Sequence, residues 1–393
     1  MWRSIHHSQT IFNYLMELKL CQILSHIAIG HIMSILIAMF SHGYRGKTVD
    51  FALCSNHHRT TIGHFLNYGK WKDEVIQDSL KQMVIQVIYQ EAERSGQPIF
   101  CIVDDTIASR TKPSSQALHP IENAYFHQSH LKKKQDYGHQ AIAVLLSCNG
   151  ITLNYTVLLY DKSMSKIQMV CNLAQELPIA PVHSYFLCDS WYTAGKVMDS
   201  FIKRGFYTIG ALKTNRILYP AGIRQKLSQF ALFLHKTDAA VRLVTVGNRQ
   251  YYVYRYEGKL NGLENAVVLM TYPKDAFHKP QALRAFLCSD TSLSTEEILT
   301  YYQERWGIEV YFRQCKTRLA FDQCQIRSAQ GIQRFWLLTS LAYNLCCMAT
   351  GIFMPFDEGY RYIQKQIQQE KIVFLYQCGV NHLPLEQLLA YVA

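Results

Sequence analysis

Two acidic residues, Asp104 and Asp189, each directly follow a short apolar run, FCIV at 100–103 and SYFLC at 184–188. Such runs read as strands, and in open sheets with helical crossovers the C-terminal ends of strands are where reactive groups gather. An aspartate after a strand also serves as a turn former or helix cap, so neither residue alone specifies chemistry. A third acid changes the reading. Ser294-Thr295-Glu296-Glu297 has the form of a capping box opening a long helix. At about 100° per residue, Tyr302, Arg305, Glu309 and Lys316 then fall within about 60° of one another. Beside them run Tyr301, Ile308, Phe312 and Cys315, an apolar stripe suited to packing on a sheet. A solvated charged face also produces a polar stripe, but it does not often set a glutamate beside the packing surface, within reach of two strand ends. Three carboxylates from separate segments suit Mg²⁺, which takes a few acidic ligands and keeps waters and phosphate oxygens. Tyrosine, arginine and lysine beside them suit a grip on phosphate.

The pattern Y-x₂-R-x₃-E-x₆-K formed by Tyr302, Arg305, Glu309 and Lys316 resembles the tyrosine–arginine–glutamate–lysine signature of a large group of bacterial insertion-sequence transposases of the DDE type. The similarity extends to Asp104-Asp105-Thr106, to Asp189-Ser190-Trp191-Tyr192, and to the flanking sequences YGHQ at 137–140 and KTNR at 213–216. It covers about residues 98–350, including a β-rich insertion before the glutamate helix. The resemblance implies an enzyme that cuts the ends of an insertion sequence and joins them to target DNA, by metal-dependent phosphodiester hydrolysis and transesterification. It implies Asp104, Asp189 and Glu309 as catalytic residues and metal ligands, Asp104 bridging two Mg²⁺ ions and the other two each completing one, with Mn²⁺ as a substitute. Tyr302, Arg305 and Lys316 then hold phosphates near the scissile bond. The partners implied are double-stranded DNA, as element ends and as target, and a second copy of the chain in a homodimer on paired ends.

Several alternatives stay open. Asp104 and Asp105 both precede Thr106; the family's D-x-T spacing favours Asp104, and alternation along a strand sends the two side chains to opposite faces. Trp191 and Trp306 either stack on unpaired bases near the cut or pack in the core. Another ribonuclease-H-like nuclease, such as a junction resolvase, shares the chemistry without needing a sequence-specific reader. A domesticated or regulatory DNA-binding derivative would more readily have lost a carboxylate.

The elements that must position these residues follow a readable order. Residues 1–95 read as an all-helical N-terminal region, with apolar residues three and four apart and breaks at Gly43 and Gly46. Its segments 48–54, 59–66 and 71–94 form a three-helix pattern whose short middle member has Arg59 near its start and Lys70 and Lys72 beyond it. A helix-turn-helix reader of DNA needs this arrangement, and a plain three-helix bundle shows it too. After FCIV comes a polar loop, 109–136, containing Lys132-Lys133-Lys134. Strands at 139–147 and 151–160 joined by Asn149-Gly150, a helix at 166–177, the 184–188 strand, a helix at 194–204 and a strand at 206–212 complete a ribonuclease-H-like order. The predicted fold class is therefore α/β: a ribonuclease-H-like catalytic domain (96–216 and 291–350) interrupted by the β-rich insertion 217–290. The helical N-terminal region precedes it and a C-terminal helical region (351–393) follows. Apolar helical sequence at 330–353 and 372–376 exceeds what the sheet needs, and either completes the core or serves assembly.

Composition sets the bounds. With 49% apolar and 18% charged residues among 393, the chain buries a large core and is not disordered. A formal charge of +11 favours polyanionic partners. The 12 cysteines lie mostly inside apolar runs, with neither CxxC pairs nor Cys/His ligand spacing, and read as buried reduced thiols of a cytosolic protein. Met1–Leu20 lacks a secretory pattern, and the apolar run 27–40 is too short for a spanning helix. The location expected is the bacterial cytoplasm, associated with the nucleoid, with no membrane partner.

Overall fold

The computed structural model of the chain describes residues 7–118, 120–129, 133–260, 262–349 and 351–390. Lys132 of the basic run and the first six residues of the N-terminal stretch lie outside these. Helices come first: α1 (Gln9–Glu17), α2 (Leu20–Ile23), α3 (His26–Met39), α4 (Thr48–Ala52), α5 (Arg59–Tyr68) and α6 (Asp73–Ser95). The apolar run at 27–40 is α3, capped by Ser25 and almost wholly buried; no described helix is long and apolar enough to cross a membrane. Gly43 and Gly46 have φ of +78° and +74°, a region open mainly to glycine. At Gly46 a Cβ would also lie 2.8 Å from that of Ala320.

The sheet is built from β1 (Phe100–Ser109), β2 (Tyr125–Ser129), β3 (Lys134–Cys148) and β4 (Ile151–Tyr160), then α7 (Lys166–Glu176), β5 (Ser184–Cys188), α8 (Gly195–Ile202) and β6 (Phe206–Leu212). Short β7 (Ile217–Leu218), β8 (Gln225–Lys226) and α9 (Leu227–Phe230) lead to β9 (Val241–Val246), β10 (Arg249–Leu260), β11 (Leu263–Pro273) and β12 (Arg284–Cys288). One sheet contains all of these strands, in the order β2-β3-β1-β5-β6-β12-β11-β10-β7-β8, with β4 on β3 and β9 on β10. Only β1–β5 and β5–β6 are parallel. Residues 217–290 interrupt the sequence but not the sheet, because β12 pairs antiparallel with β6 from Ala285↔Leu212 to Cys288↔Ile209. Those strands also enclose a smaller apolar cluster of their own, around Leu218, Leu260, Val268 and Leu287.

Two sequence expectations need correction here. Residues 109–136 are not all loop, because Tyr125–Ser129 forms β2, paired with the start of β3. A two-stranded ribbon with polar residues on both faces lacks the apolar alternation that reveals a half-buried strand. Nor does the FCIV strand end at Asp104. It runs on to Ser109 because β3 pairs with it over its whole length, Phe100↔Ser147 to Ser109↔Gly138. Gly138 leaves no room for a side chain in that pairing: a Cβ there would collide with the Ala108 carbonyl oxygen.

The chain closes with α10 (Thr295–Gln303), α11 (Trp306–Arg318), α12 (Ala329–Cys347), α13 (Phe356–Val380) and α14 (Leu385–Ala390). The capping box at Ser294 is formed, with Glu297 N–H donating to Ser294 Oγ at 3.2 Å and Ser294 N–H to Glu297 Oε2 at 2.8 Å. The expected single long helix is two, divided at Glu304-Arg305, where the N–H groups bond three residues back, to Tyr301 and Tyr302. The tighter turn leaves the stripe almost in phase. Helix α12 is buried along most of its length. Helix α13 returns to the N-terminal helices: Tyr360 Oη donates to the Met39 carbonyl at 3.0 Å, and Glu370 accepts from Ser8 and Thr10.

Candidate active site

Parallel pairing of β1 with β5 stops at Val103↔Cys188. Asp104 and Asp189 are the next residue on each strand, so two carboxylates leave the parallel ladder side by side. Helix α11 packs on β1 and brings Arg305 between acids: its Nη1 donates to Asp104 Oδ2 at 2.7 Å and its Nη2 to Glu309 Oε1 at 3.2 Å. Asp104 and Arg305 are both about five-sixths buried. Burial pushes the Asp104 carboxyl up to about 7; Arg305 opposes the shift and Asp189 adds to it. The Arg305 guanidinium stays fully charged beside Tyr302 and these acids.

Further along the stripe, Lys316 Nζ donates to Thr106 Oγ1 at 2.8 Å and to the Ile107 carbonyl at 3.2 Å. Tyr302 packs its ring 4.7 Å from that of Phe286 and lies 5.9 Å from the Arg305 guanidinium. The apolar partner stripe is in place, with Ile308, Phe312 and Cys315 buried. No described group of three His, Cys, Asp or Glu side chains is close enough to hold a metal ion as the side chains stand. Asp104 and Glu309 are linked through Arg305, and Asp189 Oδ1 accepts from the Trp191 N–H at 2.9 Å.

Asp105 faces the other way. It accepts from Tyr192 Oη at 2.8 Å, from Lys166 Nζ at 3.0 Å and from the Gln140 amide. Lys166 comes from the first turn of α7, whose start Ser165 fixes by capping the Gln168 N–H at 3.1 Å. Sequence reasoning missed Lys166, and saw Gln140 only as part of the YGHQ context. Lys166 is 61 residues from Asp105 in the chain, and no spacing rule connects them. Tyr192 was visible only as part of the DSWY context.

A family model described as a transposase DDE domain matches residues 95–345. That is well over half of the chain. The chain belongs to this family. No curated protein matches it. The DDE domain so delimited contains Asp104, Asp189, the whole stripe from Tyr302 to Lys316, and both tryptophans. Of the two readings of those tryptophans, core packing is excluded: Trp191 is 52% and Trp306 61% exposed. The Trp191 N–H donates to Asp189, and Lys166 Nζ and Lys213 Nζ lie 4.9 Å and 5.2 Å from its ring. Arg59 lies outside the matched span, exposed at the first position of α5. Helix α5 is fixed to the DDE domain by Arg334 of α12, which donates to the Leu66 carbonyl at 3.2 Å and the Trp71 carbonyl at 3.1 Å and pairs with Asp73 at 2.9 Å. All twelve cysteines are unpaired thiols, ten of them buried.

Proposed function

We infer that the protein is a transposase that cuts the ends of an insertion sequence and joins them to target DNA, in the group bearing the tyrosine–arginine–glutamate–lysine signature. The observation that carries this reading is the pairing of Arg305 with both Asp104 and Glu309, beside Asp189, at the end of the parallel strands of a DDE domain. The sheet order β4-β3-β1-β5-β6 with α7 and α8 as crossovers supports a ribonuclease-H-like catalytic core.

The donor set fits Mg²⁺, with Mn²⁺ as substitute. Its oxygens are hard, and Asp104, buried next to Asp189, has its proton held up to about 7 and so favours a neighbouring cation. Arg305 now supplies that charge. Asp104, Asp189 and Glu309 would hold the metal, which when bound activates the attacking oxygen and neutralises charge on the leaving one. Arg305, released from one carboxylate, is placed to take a phosphate oxygen through its planar fork. Lys316, held at Thr106, contributes a point charge further along the strand. Tyr302 carries its proton at neutral pH, as any tyrosine does, and burial pushes its hydroxyl further up, to about 12; toward phosphate it is a donor. Trp191 and Trp306, exposed near the site, suit stacking on unpaired bases. Arg59 and the exposed side of α5 are assigned to recognition of the element end, which makes residues 1–95 the DNA-binding region.

Incubating the purified protein with Mg²⁺ and duplexes carrying the inverted repeats that flank its gene tests this directly. Nicked ends and their joined products on a denaturing gel are expected; uncut repeats would overturn the reading. Two ends must be joined, so the working species is a homodimer on paired ends. Ile372, Tyr376 and Val380 of α13 support it: they share one face at four-residue spacing and are 65%, 72% and 57% exposed. Light scattering with pre-cut ends is expected to find two chains and two ends. A complex of one chain and one end that completes strand transfer would exclude the dimer.

A further inference from the structure

Strand β3 runs antiparallel to β1, so its first residues lie at the same end of the sheet as Asp104. Ala143 is opposite Asp104, and from there to Lys134 the strand extends about 30 Å. Residues 134–136 lie past the ladders with β1 and β4 and pair with β2, from His127↔Asp136 to Ser129↔Lys134, while Tyr137, opposite Phe126, still accepts from the Arg110 N–H at 2.7 Å. A two-stranded ribbon therefore projects from the candidate active site.

Its two faces differ. One is anchored: Tyr125 Oη donates to the Asp161 carbonyl at 3.1 Å with Lys162 Nζ 3.9 Å from its ring, and Asp136 accepts from Ser109 Oγ at 2.6 Å. The other carries the directly opposed pairs Phe126–Tyr137 and Gln128–Gln135. Phe126 is 51% exposed, with Lys112 Nζ 5.4 Å from its ring, and both glutamines are exposed. Among the described residues of the ribbon no acid stands on this face, and Lys133 lies exposed beyond Gln135; Lys134, opposite Ser129, belongs to the anchored face.

The ribbon is also continuous with α5. A cleft of about 460 Å³ is lined by Asn67 and Tyr68 from α5, by Pro120 and Glu122 leading into β2, and by Arg327. The two sides are joined through the start of α12: Glu122 accepts from the Ala329 N–H at 2.8 Å and its own N–H donates to the Arg327 carbonyl at 2.9 Å, while Ser328 Oγ donates to Asn67 Oδ1 of α5.

We propose that the open face of the β2–β3 ribbon enters the major groove of the same element-end duplex that α5 contacts, with Gln128 and Gln135 at base edges and Lys112 at the backbone. This rests on the reading of the chain as a cutter of element ends. The major groove admits a two-stranded β-ribbon, and glutamine offers the donor and acceptor that adenine's N7 and N6 require. The aromatic pair sits nearer the sheet, where it stiffens the ribbon and meets the sugar edge. The cationic, acid-free face is complementary to phosphate, and continuity with α5 selects the end duplex over the target.

The test compares the full-length protein with Gln128→Ala/Gln135→Ala and, separately, Lys112→Ala. Fluorescence anisotropy would measure binding to the inverted-repeat duplex and to a scrambled duplex of equal length, and strand transfer would be followed from pre-cut ends. The double variant should bind the repeat on the order of 10- to 100-fold more weakly and the scrambled duplex as wild type does, which also shows that it is folded. Lys112→Ala should weaken both duplexes alike and lower the salt slope. Unchanged repeat affinity in the double variant, equal loss on both duplexes, or a defect confined to strand transfer into target would each overturn the proposal. Wild-type protein without preference for the repeat would remove the functional reading and this inference with it. Wild-type preference that survives the double substitution removes this inference alone.

Discussion

Asp104 and Asp105 are neighbours of the same type on one strand, yet the two faces of β1 treat them oppositely. Asp105 is given a lysine, a tyrosine hydroxyl and an amide, all donors. Asp104 is given the Asp105 N–H at 2.8 Å and one guanidinium, which it shares with Glu309, while burial, helped by a second aspartate nearby, raises its pKa to about 7. A satisfied carboxylate stabilises the fold. A carboxylate buried beside another is held in an environment that a further cation would relieve, and such under-compensated groups mark functional sites. On the proposed reading, the difference separates a structural acid from a metal ligand where the sequence shows only two consecutive aspartates.

The largest effect should fall on chemistry. Asp104→Ala, Asp189→Ala and Glu309→Ala are each expected to lower end cleavage by on the order of 10³-fold or more, with binding to end DNA little changed. Asp105→Asn should keep cleavage within about tenfold of wild type. Gel assays showing Asp104→Ala active and Asp105→Asn dead would reverse the comparison. Stability should show the opposite ranking. Asp105→Ala leaves Lys166 and Tyr192 without their shared acceptor and is expected to cost about 1–3 kcal/mol in urea unfolding of the metal-free protein. Asp104→Asn, which relieves one crowded charge and loses one ion pair, should stay within about 1 kcal/mol of wild type. Equal losses would mean that the two faces are not energetically distinct.

A smaller effect concerns the platform that the Asp105 face builds. Lys166 bridges Asp105 and the Trp191 ring, so Trp191→Ala should weaken binding of ends with unpaired bases by about 1–3 kcal/mol and of fully paired duplex by less. Equal weakening of both would remove the stacking role. The smallest change is expected from Arg59→Ala, remote from either face of β1. It should weaken binding to the repeat by about 1 kcal/mol, leave cleavage of bound DNA intact, and report base reading if scrambled duplex is unaffected. Uniform weakening with a lower salt slope would make Arg59 a phosphate contact.

Much of this was legible in the chain. The ranges of β4, β5 and β6, the hairpin at Asn149-Gly150 and the capping box at Ser294 each follow from local pattern, because apolar runs, turn residues and caps act within a few residues. The stripe from Tyr302 to Lys316 was readable because helical periodicity carries information across four turns, and the break at Glu304-Arg305 is short enough not to shift it. Strand β2 was not, since neither of its faces is a continuous apolar surface. The role of residues 331–347 as core, and of Ile352, Ile372 and Tyr376 as exposed apolar residues, had the same local signature and differ only in what packs on them.

The sequence by itself determined which residues carry charge, which runs become strands and helices, and that Glu309 shares a face with Arg305. It could not say that Asp104 turns to α11 and Asp105 to α7, nor that one guanidinium links two acids 205 residues apart, since Arg305 reaches Asp104 across 201 residues and Glu309 across 4. Those contacts depend on the register of β1 between β3 and β5 and on the docking of two helices. A one-residue slip in that register would exchange the two faces, so only the tertiary structure decides which aspartate meets Lys166 and Tyr192 and which meets Arg305.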